Sequence, residues 1–223
     1  MRVKVKNEKS DKSVEWLKYE FINHAANNCT VALMWEYMVI PFKISVNVED
    51  IVINTLRDQI KGPIGFNPLY VISAAQYCMN ANKNLDEAYD WSKKAVTGFG
   101  GQKIYPTISN LVNACLKTNK MKEADSLMTD VVALGNATQL TAFGRNLITA
   151  KQADRALKLF QENQKRNGDN FNTNSGLMRG YSAKGDFAKA LEYANKTLAQ
   201  APEPQKKAVE DMIAKLKESK DIN

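Results

Sequence analysis

The sequence predicts a mainly helical α+β protein, in which a short antiparallel β segment precedes a four-repeat helix–turn–helix solenoid with a C-terminal capping helix. Side chains alternate between apolar and polar over residues 1–48, as they do along strands. From residue 68 onward, apolar positions follow helical spacing in stretches of about 12–16 residues separated by short polar turns. A small alanine also recurs at one position of every second helix, which indicates a repeated unit.

The β segment is predicted to contain three or four antiparallel strands, with a hairpin turn at Asn27-Asn28. These strands offer an apolar face that little within their own segment could cover, and a small sheet needs a second layer to be stable. The cover could come from the helices that follow, from a second copy of the chain, or from an N-terminal portion that precedes this sequence. A start directly within a strand favours the third source. The predicted strands are Arg2–Lys6, Val14–Ile22, Cys29–Trp35 and Met38–Val48.

An amphipathic helix over Val48–Ile60 connects the two parts of the chain. Glu49 and Asp50 lie in its first turn, where the helix dipole favours anions, and Gly62-Pro63 ends it. The stretch Gly62–Pro68 is predicted to be a linker. We therefore expect one domain over residues 1–61, as part of a β-domain, and a helical repeat domain over residues 68–223.

The recurring alanines define a unit of about 34 residues, and a polar turn precedes each of them. A single helical pair cannot bury its apolar face, whereas stacked pairs bury a continuous core. We expect Ala156 and Ala190 to be buried between paired helices. A last amphipathic helix, Pro204–Ser219, has one polar face and is suited to cap the open end of such a stack. The alanines are Ala88, Ala124, Ala156 and Ala190.

This unit resembles the tetratricopeptide repeat. The fourth copy matches that pattern best, and the third contributes Gly144, where paired helices approach closely, and Phe160 in the second helix. The resemblance implies a helical solenoid whose first helices line a concave surface, and a non-enzymatic scaffold that binds a peptide or protein. The matching residues of the fourth copy are Leu177, Tyr181, Gly185, Asp186, Phe187, Ala190 and Pro202.

The whole chain also resembles a narrower bacterial family, which joins an exported β-domain to C-terminal tetratricopeptide-like helices. The stretches that carry this resemblance are Phe42–Val46, Asn54–Gln59, Gly62–Asn67 and Ala74–Cys78. It implies a periplasmic or exported protein of which this chain is the C-terminal part. The family provides no activity that could be assigned to any residue here.

The composition argues against an enzyme. His24 is the single histidine and is expected in a solvated turn, so nucleophilic catalysis lacks its usual base. Cys78 and Cys115 fall on apolar helix faces and are expected to be buried, which leaves no cysteine cluster for a metal. The glycine-rich stretch Gly98–Lys103 has no Gly-Lys-Ser/Thr ending and is expected to be an inter-repeat turn. We therefore predict no catalytic residues, no cofactor and no metal, and no apolar run reaches the ~18 residues of a membrane-spanning helix.

The net charge of +7 lies almost entirely in the helical part, where residues 68–223 carry an excess of six positive charges. A basic excess favours acidic partners, including nucleic acid. Here, however, most lysines alternate with acids, as on a solvated helix face. Only Tyr70 and Tyr77 could serve as aromatic platforms for bases, so nucleic acid is disfavoured as a partner.

The concave face of the repeats is the candidate binding site. Its residues include no acid and three cations, which leaves two interpretations: an ordinary solvated face, or a groove for an extended peptide that is acidic or carries a carboxylate. The first hypothesis for function is therefore a protein-interaction or scaffold module. The alternative is a helical domain that supports a ligand-binding or enzymatic site on a preceding β-domain, and a homodimer through the β segment is a further option. The groove residues are Tyr70, Ser73, Tyr77, Asn80, Ser109, Asn113, Lys117, Thr141, Arg145, Thr149, Asn172, Ser175 and Arg179.

Overall fold

The computed structural model describes residues 2–223 of the chain, which divide into two compact units. The first unit ends at Ile64 and the second comprises Gly65–Asn223. The first holds a β-hairpin and one helix, and the second holds helices only, so the protein is α+β and mainly α.

The β segment is one long two-stranded ribbon, so the prediction of three or four strands was wrong. Strand β1 spans Glu8–Ala25 and pairs antiparallel with β2, Asn28–Ser45. The polar stretches that were interpreted as strand ends are irregularities within one ladder. Between Lys9 and Val14, for example, β1 has four residues where β2 has one, and Glu36, opposite Val14, adopts a positive φ of 49°. A bulge of this kind absorbs extra residues without ending a strand. Residues 2–7, which include the alternating stretch at the N-terminus, form no strand.

One face of the ribbon is apolar and open. In β1, Leu17, Tyr19 and Phe21 are 60%, 70% and 60% exposed, and their alternation places them on one face. Tyr19 and Phe21 lie opposite Leu33 and Val31 of β2. A two-stranded ribbon with this much apolar surface in water is marginal by itself.

Helix α1 spans Val48–Lys61 and completes the first unit. Asn47 caps it by accepting a hydrogen bond from the backbone N–H of Asp50, and Ile53 and Ile60 are its buried residues. The predicted linker contains a short 3-10 helix, Pro63–Phe66.

The second unit is an array of four helical pairs followed by one helix. Within each pair the two helices are packed antiparallel neighbours, as their short connections require. First helices also pack on one another, α2 on α4 and α6 on α8, and we call the four first helices the inner layer of the array. The helices are α2 Pro68–Ala81, α3 Leu85–Thr97, α4 Tyr105–Lys117, α5 Met121–Leu134, α6 Ala137–Thr149, α7 Ala153–Asn167, α8 Phe171–Ala183, α9 Phe187–Gln200 and α10 Glu203–Lys217.

The recurring alanines lie at the tightly packed positions of this array, as predicted. All four have no exposed surface, so a larger side chain at these positions would meet its neighbours directly. The predicted burial of Ala156 and Ala190 is confirmed. Cys78 and Cys115 are buried as well, and the glycine-rich stretch before α4 is the expected inter-repeat loop.

The junction between the second and third repeats is built differently from the others. Helix α3 packs along α4 and α7 packs along α8, but α5 has no comparable backbone packing against α6. Side chains bridge the junction instead. The hydroxyl of Tyr105 donates a hydrogen bond to the backbone carbonyl of Gln139 over 2.8 Å, and burial raises the pKa of Tyr105 to about 12.

Candidate functional site

Three asparagines on successive first helices line one cavity. Asn80 of α2, Asn113 of α4 and Asn146 of α6 are equally spaced in the sequence, and the cavity that they share measures about 560 Å³. Because their interval is one repeat, the same position of the unit is presented three times along the inner layer. The other lining residues are Gln76, Met79, Leu116, Lys117, Thr149, Ala150 and Gln152.

The three amides have unused hydrogen-bonding capacity. Within residues 2–223, none of their side chains has a hydrogen-bond partner in the protein. Each amide provides an N–H₂ donor and a carbonyl acceptor. The cavity therefore offers a row of paired donors and acceptors at a fixed repeat distance.

Lys117 is the charged residue among those that line this cavity, and no acid lines it. Lys117 is exposed and forms no ion pair within the described residues. An unpaired cation in a concave surface without acids produces a positive potential there.

The structure brings some of the predicted groove residues together and leaves others apart. Asn80, Asn113, Lys117 and Thr149 line the cavity, whereas Tyr70, Tyr77 and the remaining residues do not. Tyr70, Tyr77, Ser109 and Ser175 are partly buried, and Ser73 is exposed, with its hydroxyl bonded to the backbone of its own helix.

Thr141 and Asn172 of the predicted groove form hydrogen bonds between α6 and α8. Thr141 was interpreted as a groove residue but is 8% exposed. Its hydroxyl lies 2.9 and 3.0 Å from the carbonyl oxygens of Ala137 and Asn172, which share its one proton, and it accepts from the Asn163 amide. That part of the prediction was wrong because α6 and α8 approach each other closely at this point. The side-chain amide of Asn172 donates to Thr138 over 3.1 Å, which links the same two helices.

Sequence reasoning missed Gln76 and Asn146. The signal for Asn146 was present, because Asn80 and Asn113 were both assigned to the groove and one more step of the same length reaches Asn146. The recurring alanines obscured this regularity, since they belong to the second helices and follow one another at uneven intervals.

A further step of that length reaches Arg179 on α8, which lies close to Arg145 of α6. Burial lowers the pKa of Arg179, and the neighbouring charge of Arg145 lowers it further. Arg145 is exposed and has no ion-pair partner within the described part of the chain. Among residues 2–223, Arg179 has no carboxylate within ion-pair distance either, and its Nε is buried without a hydrogen-bond partner. Two guanidinium groups of the inner layer therefore lie near each other without direct neutralisation.

The second helices enclose another cavity, of about 470 Å³, between α5 and α7. Its apolar floor includes Met128, Val132 and Leu159. Two of its charged groups neutralise each other, because Arg155 binds Asp125 through two hydrogen bonds of 2.6 and 3.0 Å. This cavity is less suited to a charged ligand than the inner face.

The described residues contain no group of three or more side chains suited to hold a metal ion. His24 lies near the end of β1 rather than in the turn, and its Nε2 is 3.0 Å from the carbonyl oxygen of Phe21. Burial raises the pKa of Cys115 to about 11, which keeps its thiol protonated and unreactive. Among residues 2–223, no helix combines the length and the apolar character needed to span a membrane.

A similar solved structure is the crystal structure of a tetratricopeptide repeat protein from Parabacteroides merdae, which is 13% identical to this chain, with a TM-score of 0.48. The similar region covers 77% of this chain and 65% of that protein, so this chain spans less than two thirds of its length. No family model matches the chain, and no curated protein matches it.

Proposed function

We propose that this protein is a non-enzymatic interaction module, whose helical unit binds an extended peptide segment of a partner along its inner layer. The observation that carries the proposal is the row of Asn80, Asn113 and Asn146, three unpartnered amides on one cavity. The module acts as a scaffold by holding its partner, and its own residues carry out no chemical step.

Asparagine amides suit the backbone of a peptide. A peptide presents one N–H and one C=O per residue, and a side-chain amide can accept from the first and donate to the second. Because each helix repeats the same amide, successive stretches of an extended chain meet the same chemistry. Affinity from such contacts does not depend on the partner's sequence, so specificity has to come from the side chains around the row.

The charges of the inner layer favour an acidic partner. Lys117, Arg145 and Arg179 are distributed over three successive first helices, and none of them forms a salt bridge within residues 2–223. Charges of one sign on a concave surface reinforce each other's field and attract an oppositely charged ligand. We expect a peptide that carries carboxylates, whose Coulomb attraction adds to the hydrogen bonds of the amide row.

Selection from a random library of dodecapeptides displayed on phage, against the full chain, tests the proposal. We expect the selected peptides to be rich in Asp and Glu and to bind at micromolar dissociation constants. Replacing two amides together, Asn113→Ala with Asn146→Ala, should weaken the binding of a selected peptide about fivefold or more, because each lost neutral hydrogen bond removes about 0.5–1.5 kcal/mol.

The matched control is Asn195→Ala. Asn195 is an exposed asparagine of α9 whose side chain has no hydrogen-bond partner among residues 2–223, and it does not line the cavity. Isothermal titration calorimetry should show unchanged binding by this variant. Selection that yields no peptide, or peptides that bind the double variant as tightly as the original chain, would contradict the proposal.

The β ribbon supports a second proposal, homodimerisation through the first unit. Leu17, Tyr19, Phe21 and the 49% exposed Trp35 leave about 400–500 Å² of apolar surface open, since an aromatic side chain can bury about 150–250 Å². That is at least half of the ~800 Å² that each partner buries in a stable interface. A two-fold axis would place the same patch of two copies against each other.

The molar mass measured by light scattering during gel filtration shows whether a second copy of the chain covers this face. If a second copy covers this face, the measured mass should be twice the chain mass of 25.0 kDa. The variant Tyr19→Lys should then have the mass of a single chain. Lys18→Glu, on the opposite face of β1, is the control and should leave the mass unchanged. A monomer of the unaltered chain would favour the alternative, in which the ribbon belongs to a larger β-domain that carries its own site.

A further inference from the structure

The segment after α10 lies against the inner face of the fourth repeat. Helix α10 ends at Lys217, and the chain then reverses direction through Ser219, which has a positive φ of 54°. Ile222 is 9% exposed and packs in the core cluster that contains Met178 of α8 and Leu216 of α10. We call residues Lys220–Asn223 the returning segment.

The returning segment contacts α8 mainly through polar groups of its backbone and of Asp221. The hydroxyl of Ser182 donates to the carboxylate of Asp221 over 2.6 Å and accepts from the backbone N–H of Ile222 over 3.1 Å. Arg179 lies 3.4 Å from the carbonyl oxygen of Ile222, and the Asn223 amide donates to the backbone carbonyl of Arg179.

These contacts stabilise the charged form of Asp221. Burial alone would raise its pKa, but the hydrogen bonds from Ser182, from the Asn223 side chain and from two backbone N–H groups outweigh burial and lower the pKa. The positive charge of Arg179 is attracted to Asp221 as well.

The positions covered on α8 are those that remain open on α6. One repeat earlier, at the interval of the asparagine row, Arg179 corresponds to Asn146 and Ser182 corresponds to Thr149, and both of these line the open cavity. At each pair of positions a side-chain donor is followed, one turn later, by a hydroxyl. The fourth repeat therefore has the same kind of surface as the third, but a segment of the chain itself occupies it.

We infer that the returning segment is a built-in peptide ligand of the fourth repeat, and that the inner face recognises extended segments in which an acidic residue directly precedes a branched aliphatic residue. This inference rests on the proposed peptide-binding function and names the kind of sequence recognised. The carboxylate accepts a hydrogen bond from the hydroxyl, and the backbone N–H of the next residue donates to the same hydroxyl. The branched aliphatic side chain packs against the apolar residues of the core cluster. A partner reaches this end of the face by displacing the returning segment.

The test uses the full chain and a synthetic peptide with the sequence of residues 217–223, acetylated and amidated so that its ends carry no charge. The variant Ile222→Ser removes the apolar anchor, and Asp221→Lys is a second releasing variant that changes an exposed side chain. Hydrogen exchange of the backbone amides in residues 220–223 reports release. Within the chain the segment has a large effective concentration, so we expect the peptide to bind a released variant at least tenfold more tightly than the unaltered chain.

Two controls define the outcome. Lys220→Ser leaves Asp221, Ile222 and Asn223 in place and should behave as the unaltered chain does, and a peptide in which serine replaces the isoleucine should fail to bind any variant. The inference is overturned if a variant whose segment exchanges freely binds the peptide no better than the unaltered chain. If library-selected peptides still bind through the amide row in that case, the proposed function stands and only this inference fails.

Discussion

The aromatic ring of Phe160 occupies the space in which residue 144 would carry a side chain. A Cβ placed on Gly144 would overlap three ring carbons of Phe160, and Phe160 has no exposed surface. Gly176 and Gly180 of α8 border the same ring, so glycines of two first helices enclose one side chain of α7. The third and fourth repeats are thereby joined around a single aromatic residue.

Substitution of Gly144 should destabilise the protein even when only one methyl group is added. Gly144→Ala adds one methyl group that must displace the buried ring, and overpacking of a filled core costs about 1–3 kcal/mol in free energy of unfolding. The gain in helix propensity from alanine, about 1 kcal/mol, offsets only part of this cost. Thermal unfolding followed by circular dichroism measures the difference.

The control for this substitution is Gly62→Ala. A Cβ on Gly62 would lie 3.5 Å from the Gln59 carbonyl oxygen, an ordinary contact, and Gly62 has a negative φ of −89°. This variant should unfold at nearly the same temperature as the unaltered protein. Equal unfolding temperatures for Gly144→Ala and the unaltered protein would show that the helices can separate around Phe160 without cost.

A second stability prediction concerns the alanine row. Ala190→Leu places three further carbon atoms at a position with no exposed surface, and we expect it to lower the free energy of unfolding by about 1–3 kcal/mol. Ala188→Leu, at an exposed position of the same helix, should change it by less than about 0.5 kcal/mol. Urea unfolding of both variants provides the measurement, and a neutral Ala190→Leu would contradict the packing of the fourth helical pair.

The sequence predicted the helical unit far better than the ribbon, for a physical reason. Each repeat has to bury the same small alanine, so its recurrence is visible four times over, from Ala88 to Ala190. The ribbon has no such repetition. An irregularity such as the one between Lys9 and Val14 and a true strand end both appear in sequence as a polar interruption, and only the pairing of β1 with β2 distinguishes them.

For the candidate site, the sequence predicts which residue types lie on the inner helix face but not which of them share a cavity. Periodicity identifies the inner helix face, and with it Asn113 and Lys117. It does not show that Thr141 turns inward to bond with Asn172, because that contact depends on how closely α6 approaches α8. The sequence also does not predict that Ile222 contacts Arg179, because two further helices separate these residues along the chain.

The ribbon is not expected to fold by itself. In a fragment of residues 1–61, the 80% exposed Trp16 and the apolar face that contains Tyr19 would lie in water. Both edges of the two-stranded ribbon would also be open to pairing with other chains. We expect this fragment to aggregate or to remain unfolded, as judged by gel filtration and far-ultraviolet circular dichroism. A soluble monomer with a cooperative melting transition would contradict this prediction, and a soluble dimer would instead support pairing between ribbons.

The ion pair between Asp125 and Arg155 should make a small contribution to stability that depends on pH. Arg155, through its hydrogen bonds, lowers the pKa of Asp125 in the folded protein, so the pair stabilises the fold above the ordinary aspartate pKa of about 3.9. This stabilisation is lost as the pH falls through the lowered pKa. Because the Asp125 side chain is 57% exposed, Asp125→Asn should cost no more than about 1 kcal/mol at pH 7.

Urea unfolding of Asp125→Asn at several pH values measures this dependence, with Glu210→Gln as the control. Glu210 is exposed and has no ion-pair partner within the described residues, so its variant should follow the unaltered protein at every pH. A cost of Asp125→Asn that is the same at pH 7 and at pH 2 would show that Asp125 acts through packing and not through its charge.

The two inner arginines should determine how tightly the face binds an acidic peptide. Burial lowers the pKa of Arg179 and the charge of Arg145 lowers it further, and neither arginine forms an ion pair within the described residues, so a bound carboxylate would offset the repulsion between them. In the double variant Arg145→Ala with Arg179→Ala, an acidic peptide selected from the library should lose about 2–5 kcal/mol of binding free energy if both contacts are desolvated. Arg145→Ala alone removes an exposed charge and should cost less than about 1 kcal/mol.

The control for the double variant removes the same net charge from the layer of second helices. Lys158→Ala with Lys165→Ala alters two cations of α7, and calorimetry should show little change in binding by this variant. Titration at rising salt adds an independent measurement, because a charge that contacts the ligand directly is screened less than the general field of the protein. If both double variants lose the same affinity and lose it equally with salt, the protein attracts acidic peptides by its net charge alone, and Arg145 and Arg179 form no specific site.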